Sequence, residues 1–312
     1  MVHPILGLHH VTATVDDAQS DLDFCLDVLG LRLVKKTVNF DNHDVYHFYY
    51  GTERGAPGTI WTTFPYKGKG VRVGAKGAGQ VVATSFSVPA SSIDGWRDRL
   101  QHAGVQARDA ERFGEPMLRF ADPSGLWFEL IGTDRDNRAP WTGAGLDVAA
   151  AIRGLHSTTI SVRNLDPTLE LMTGILGYRI VNEGSGRTRV VAGGDHPGHA
   201  IDIAVDPSAG AAVNGLGTVH HVAMAISTED EQLRLRDELL QAGLRVTEVR
   251  DRCYFKSIYF REPGGTLFEV ATIQPGFTAD EDLGMLGCGL MLPPWEEPYR
   301  KSIEASLPHV EY

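Results

Sequence analysis

Two histidine pairs, His9-His10 and His220-His221, open two segments of one pattern, His-His-Val followed by alternating apolar residues. One histidine among the 12 of this 312-residue chain says little. Two pairs at the same place in two related segments say more, because imidazole nitrogen is a common ligand for divalent metal ions. Glu269 completes the candidate set. It stands inside the apolar run Leu267-Phe268-Glu269-Val270-Ala271, where a carboxylate without a partner is costly and a cation is the simplest partner. Two imidazoles and one carboxylate form the facial triad that binds non-haem Fe(II) and leaves positions open. Successive strand residues point to opposite faces, so one member of each pair is expected to aim squarely at a shared cavity.

The elements that must position these residues are legible as a repeat. Gly7-Leu8-His9 matches Gly154-Leu155-His156, and Leu29-Gly30-Leu31-Arg32-Leu33-Val34 matches Leu176-Gly177-Tyr178-Arg179-Ile180-Val181, both at an offset of 147 (156 − 9; 177 − 30). Asp122-Pro123-Ser124-Gly125 to Glu129 matches Glu262-Pro263-Gly264-Gly265 to Glu269 at an offset of 140 (269 − 129). A finer repeat inside each half yields four modules, at about 4–70, 80–135, 151–210 and 216–275. Each reads βαβββ, which makes the fold class α+β. In module one Asp16 or Asp17 is expected to cap a helix carrying Leu22, Leu26 and Leu29. In module three Asp166-Pro167 is expected to supply a cap and an N1 proline, with Gly30 and Gly177 ending the two helices.

Aligning the four first strands puts His10 and His221 at the second position of modules one and four. Module three has His156-Ser157 there and module two Val82-Ala83. This register favours His10, His221 and Glu269 over the set His156, His221 and Glu269, which mixes two positions. It also requires module one to pack against module four, leaving two and three as the other pair. Glu129, the repeat partner of Glu269, has no second-position histidine in its half and reads as a degenerate site. Domain boundaries are expected at 1–147, 148–275 and a tail, 276–312, whose one helical stretch lies near Arg300 to Leu307. The Gly- and Lys-rich stretch Lys67 to Gly79 lacks the GK[ST] ending of a phosphate loop and reads as a linker or mobile loop.

Composition narrows the class. Lys and Arg number 29 against 40 Asp and Glu, a net charge of −11, which is no nucleic-acid footprint. No apolar run is long enough to cross a membrane, and Met1-Val2-His3-Pro4 lacks the pattern of an export signal. The three scattered cysteines, Cys25, Cys253 and Cys288, fit a reducing, cytoplasmic setting.

On these residues the chain resembles the vicinal oxygen chelate superfamily, which comprises glyoxalases, bleomycin-resistance proteins and extradiol dioxygenases. Several runs are similar to the hydroquinone ring-cleaving dioxygenases in particular: Leu8-His9-His10-Val11-Thr12, Gly55 to Pro65, Arg153 to Ser157, Asp251-Arg252 to Tyr259, Pro263 to Glu269 and Gly276 to Asp282. Together they span nearly the whole chain. The resemblance implies glyoxalase-like half-barrels and Fe(II), or sometimes Mn(II), held by His10, His221 and Glu269. His9, Thr12, His220, Arg252 and Tyr259 would surround a small aromatic diol that reacts with O2. It implies that His220 or His9, near neutral pKa, carries a proton, that Arg252 and Tyr259 stabilise anionic oxygen, and that the chain assembles as a homo-oligomer. Cys253 stands where the family commonly has glycine. A glyoxalase-like isomerase or lyase is the alternative, but it wants four protein ligands and three good candidates are visible. His43 and His47 are candidates for the cavity rim that spacing alone does not place.

Overall fold

A computed structural model describes residues 5–312. Module one contributes β1 (Ile5–Val15), α1 (Ala18–Asp23), β2 (Arg32–Asn39), β3 (Asn42–Gly51) and β4 (Ile60–Pro65). Module two contributes β5 (Gln80–Val88), α2 (Ile93–His102), β6 (Arg108–Arg112), β7 (Glu115–Ala121) and β8 (Trp127–Gly132). Module three has β9 (Gly154–Val162), α3 (Asp166–Gly174), β10 (Arg179–Gly184), β11 (Arg187–Val191) and β12 (Ala200–Val205). Module four has β13 (Thr218–Ile226), α4 (Glu229–Gln241), β14 (Arg250–Asp251), β15 (Lys256–Arg261) and β16 (Leu267–Thr272), and the tail carries α5 (Arg300–Ser306).

The βαβββ order therefore holds in all four modules. The strands form two curled eight-stranded sheets, ordered β14-β15-β16-β13-β1-β4-β3-β2 and β10-β11-β12-β9-β5-β8-β7-β6. Module one joins module four along antiparallel β1 and β13, and module two joins module three along β5 and β9. A four-stranded module leaves open edges, and pairing two modules end to end closes the inner one of each, with β14 and β2, and β10 and β6, as the outer edges. Between the sheets lies an aromatic core, in which Trp61 of β4 meets Phe128 of β8 at 4.9 Å and both are fully buried. Phe24 and Phe86 pack on the same Phe128 ring.

Local signals held with two changes. Asp17 caps α1 by accepting from the Ser20 backbone N–H at 2.9 Å, after which the helix loosens into a π-turn over Phe24–Val28. At the start of α3, Asn164 rather than Asp166 receives the first free N–H, and Pro167 sits in the opening turn. Gly30 and Gly177 end their helices with φ of +67° and +73°, a conformation that glycine reaches without strain. The stretch Lys67 to Gly79 is no free loop. It runs beside residues 211–216 through bridges joining Val73 to Leu216, Ala75 to Val213 and Ala78 to Ala211. A Cβ on Gly77 would stand 2.4 Å from the Gly210 oxygen, so glycine is what allows this close approach.

The tail wraps module one. Leu292, Ile303 and Leu307 are buried, and the fully buried Lys35 of β2 holds Asp280 at 2.6 Å and Glu281. Among the described residues, no helix is long and apolar enough to cross a membrane.

Candidate metal centre

The β1–β13 ladder pairs Leu8 with Met224 and then His10 with Ala223, so His9 is an extra residue on β1. It pairs Thr12 with His221 and then Ala13 with Val219, so His220 is an extra residue on β13. A bulge re-aims side chains and breaks the alternation of faces. The expectation that members of a pair point to opposite faces is thereby corrected. His9 and His10 meet Nδ1 to Nδ1 at 2.8 Å, and His220 and His221 do the same at 2.8 Å. Each inner imidazole is thus oriented through its outer nitrogen by its neighbour, leaving Nε2 to face the centre.

The three inner atoms converge. His10 Nε2 and His221 Nε2 lie 3.2 Å apart, and Glu269 Oε2 is 3.3 Å from the first and 2.8 Å from the second. All three side chains are buried, and their ligand atoms all lie within 4.8 Å of one another. Three ligands at right angles around an ion, each at about 2.1 Å, would stand about 3.0 Å from one another, which these separations match. Glu269 Oε1 accepts from Ser257 Oγ, whereas the buried Oε2 has no well-directed hydrogen bond although both Nε2 atoms are near it. An orphaned carboxylate oxygen facing two imidazole nitrogens is what a divalent cation would satisfy.

Burial alone would raise the Glu269 carboxyl, but His10 and His221 hold it well below the usual carboxylate range. Burial lowers His221. Burial and the adjoining imidazole push His9 and His220 down to about 3. These two are therefore neutral across the physiological range, which corrects the expectation of a near-neutral pKa.

The triad forms one wall of a cavity of about 400 Å³. Of the remaining expected residues, His220, Arg252 and Tyr259 line it, while Thr12 and His9 stand behind the wall. Thr12 is buried and accepts from Thr62 at 2.9 Å, and His9 packs against Phe255 at 4.9 Å. Arg252 Nε donates to the Tyr259 hydroxyl at 3.1 Å, and its other end holds Asp41 at 3.0 Å. Burial, with Glu269 nearby, keeps the Tyr259 phenol protonated well above its ordinary range. Cys253 adopts φ of +64°, the left-handed conformation glycine favours. Sequence reasoning missed Phe255, Tyr49 and the full part of His47, which lines the cavity, whereas His43 lies outside it and pairs with Glu296 at 3.3 Å.

The second sheet keeps the same backbone plan. Its ladder skips Val82 on β5 and His156 on β9, the counterparts of His220 and His9. Glu129 occupies the place of Glu269, but Arg112 grips both its oxygens at 2.7 and 2.8 Å and also reaches Asp202 at 3.2 Å. A guanidinium supplies the positive charge there.

A family model described as Glyoxalase/Bleomycin resistance protein/Dioxygenase superfamily matches residues 7–130 and 154–270. MhqO of Bacillus subtilis, provisionally named a ring-cleaving dioxygenase, is 41% identical over 307 residues, which are 98% of this chain and 97% of that one. The chlorohydroquinone/hydroquinone 1,2-dioxygenase of Sphingobium indicum is 36% identical over 297 residues, 92% and 91% of the two chains. The crystal structure of a Bacillus subtilis protein, provisionally named a dioxygenase, superposes with a TM-score of 0.95 at 41% identity over 99% of each chain. Glyoxalase I from Zea mays shares the fold alone, with a TM-score of 0.64 at 13% identity over 90% of this chain and 96% of that one.

Proposed function

The chain belongs to the Glyoxalase/Bleomycin resistance protein/Dioxygenase superfamily and is a ring-cleaving dioxygenase; we propose that it opens hydroquinones, with His10, His221 and Glu269 holding Fe(II). The observation that carries this reading is the trio of ligand atoms separated by 2.8 to 3.3 Å around an orphaned carboxylate oxygen. Bound there, Fe(II) would supply the electron path between an electron-rich ring and O2, with positions left open for both.

The remaining residues bind, orient and exclude water. Aromatic side chains, among them Phe40, Phe64 and Phe255, give the cavity flat apolar walls that suit an aromatic ring. Tyr259, polarised by accepting from Arg252, presents its O–H to oxygen that gains negative charge, and the Arg252 guanidinium adds long-range support. His220 is neutral, and its Nδ1 is engaged with His221. Its Nε2 is the atom left to pass a proton at the cavity surface, a transfer rather than a store of charge. His9 and Thr12 act from behind, His9 by orienting His10 and Thr12 by closing the hydroxyl row beside His221.

The test is anaerobic loading with Fe(II) followed by O2 uptake across hydroquinone, methylhydroquinone, chlorohydroquinone and catechol. Turnover with the hydroquinones is expected. His221→Ala should lose both bound iron and turnover, and normal activity in that variant would reject the ligand assignment.

A further inference from the structure

The half without the triad shows what the half with it has set aside. Strand registers place Tyr49 beside Thr62, Thr62 beside Thr12 and Thr12 beside His221, a row running across β3, β4, β1 and β13. The matching row in the second sheet is Arg189, Asp202, Thr159 and Ala83. Two residues before Tyr49 comes His47, and two before Arg189 comes Arg187. In the second sheet this row is closed on itself, with Arg189 held by Asp202 at 2.7 Å and Arg112 bridging Asp202 to Glu129. In the first sheet every charge of the row is replaced by a neutral polar group, and the space in front of it is the cavity.

His47 is the member of this region with a polar atom to spare. Its ring is fixed between Tyr49 and Phe64, with centroids at 4.0 and 4.2 Å, and its Nε2 lies 2.8 Å from Thr62 Oγ1. Thr62 also bonds Thr12 through its hydroxyl, so Nε2 is engaged whichever way the hydroxyl chain runs, and Nδ1 is the ring atom left over, a bare lone pair when Nε2 donates and an N–H when Nε2 accepts. Among the described residues Nδ1 has no hydrogen-bond partner, and the residue lines the cavity. Burial keeps the imidazole well below its ordinary pKa, so the ring stays neutral.

Its distance from the triad is informative. β3 is separated from β1 by β4, and two strand spacings are about 9–10 Å. A ring hydroxyl adjacent to one on the metal would stay beside the triad. A hydroxyl on the far side of the ring would approach the β3 wall.

We propose that His47 is the specificity residue for the second hydroxyl of a 1,4-diol, its Nδ1 hydrogen-bonding the hydroxyl that points away from the triad. This rests on the hydroquinone reading above. It assigns a reason for choosing a hydroquinone over a monophenol of the same shape, since a half-buried polar atom at the cavity wall that the monophenol covers without pairing is penalised.

The test uses the full-length Fe(II)-loaded protein without O2, titrated calorimetrically with hydroquinone and with phenol, followed by O2 uptake once air is admitted. Wild type should bind hydroquinone roughly 10- to 100-fold more tightly than phenol. His47→Phe should erase that preference while iron content and phenol affinity stay unchanged, and His47→Gln, which keeps an acceptor, should recover part of it. A His47→Phe variant that keeps the preference overturns the proposal, and so does one that loses both ligands at full iron content. Wild type that binds hydroquinone without consuming O2 counts against the dioxygenase reading instead, and the two titrations still decide the part of His47.

Discussion

Asp21 shows how one side chain away from the metal can set the pH response of the whole chain. It is buried on α1, accepts from Tyr50 and Thr63, and burial pushes it up to about 6. Its folded pKa exceeds the unfolded value of 3.8, so between those limits the folded state keeps a proton that the unfolded state releases. The stability it contributes is complete below about pH 4 and is lost as pH rises through 6. Asp21→Asn should therefore gain on wild type as pH rises from 4 to 8, by up to about 3 kcal/mol. Denaturant melts across that range would check this, and parallel curves would contradict it. In the cavity, Tyr259→Phe removes an O–H donor without touching a ligand. Turnover should fall about 100-fold at unchanged iron content, as read by O2 uptake and metal analysis of the same sample.

At the level of strands, the four bulges make the two sheets interchangeable frames. If the second frame lacks a metal site only for want of side chains, then Ala83→His with Ser157→His and Arg112→Ala should free Glu129 and bind a second divalent ion per chain. Metal analysis should read two equivalents, and one equivalent with an intact fold would show that the frames differ. This correspondence was half legible from sequence. The βαβββ order could be read because apolar alternation and helix ends are local, and the pairing of module one with module four because the repeat put His10 and His221 at one register position. The bulges could not, since a ladder's skipped residue is a property of two strands that lie 211 residues apart. For the same reason strand alternation lets only one member of each pair aim at the cavity and gives no sign that His9 and His220 hold their neighbours' rings. His47 was legible only as a candidate for the cavity rim because its repeat partner is Arg187, so the comparison that singled out the histidine pairs had nothing to match.

Over the whole molecule, the tail is tied down through a buried charge. Lys35 faces Asp280 and Glu281, and Tyr254 donates to Asp280 at 3.0 Å. Lys35→Met would leave the buried Glu281 carboxylate without its cation, and a loss of about 3 kcal/mol is expected. Protease should then cut within 276–312 sooner than in wild type, with iron binding retained, since the triad and the cavity wall lie at or before Glu269. Unchanged cleavage would mean that Leu292, Ile303 and Leu307 hold the tail without the charge. The crossed pairing of modules also sets a timetable for synthesis. A ribosome delivers β1 to β4 first, yet their partner strands emerge last, after the inner two modules can already have closed on each other. Until then the nascent chain carries an unfinished sheet edge, and two chains on one message could trade first modules, giving an entwined dimer in which each centre draws His10 from one polypeptide and His221 from the other.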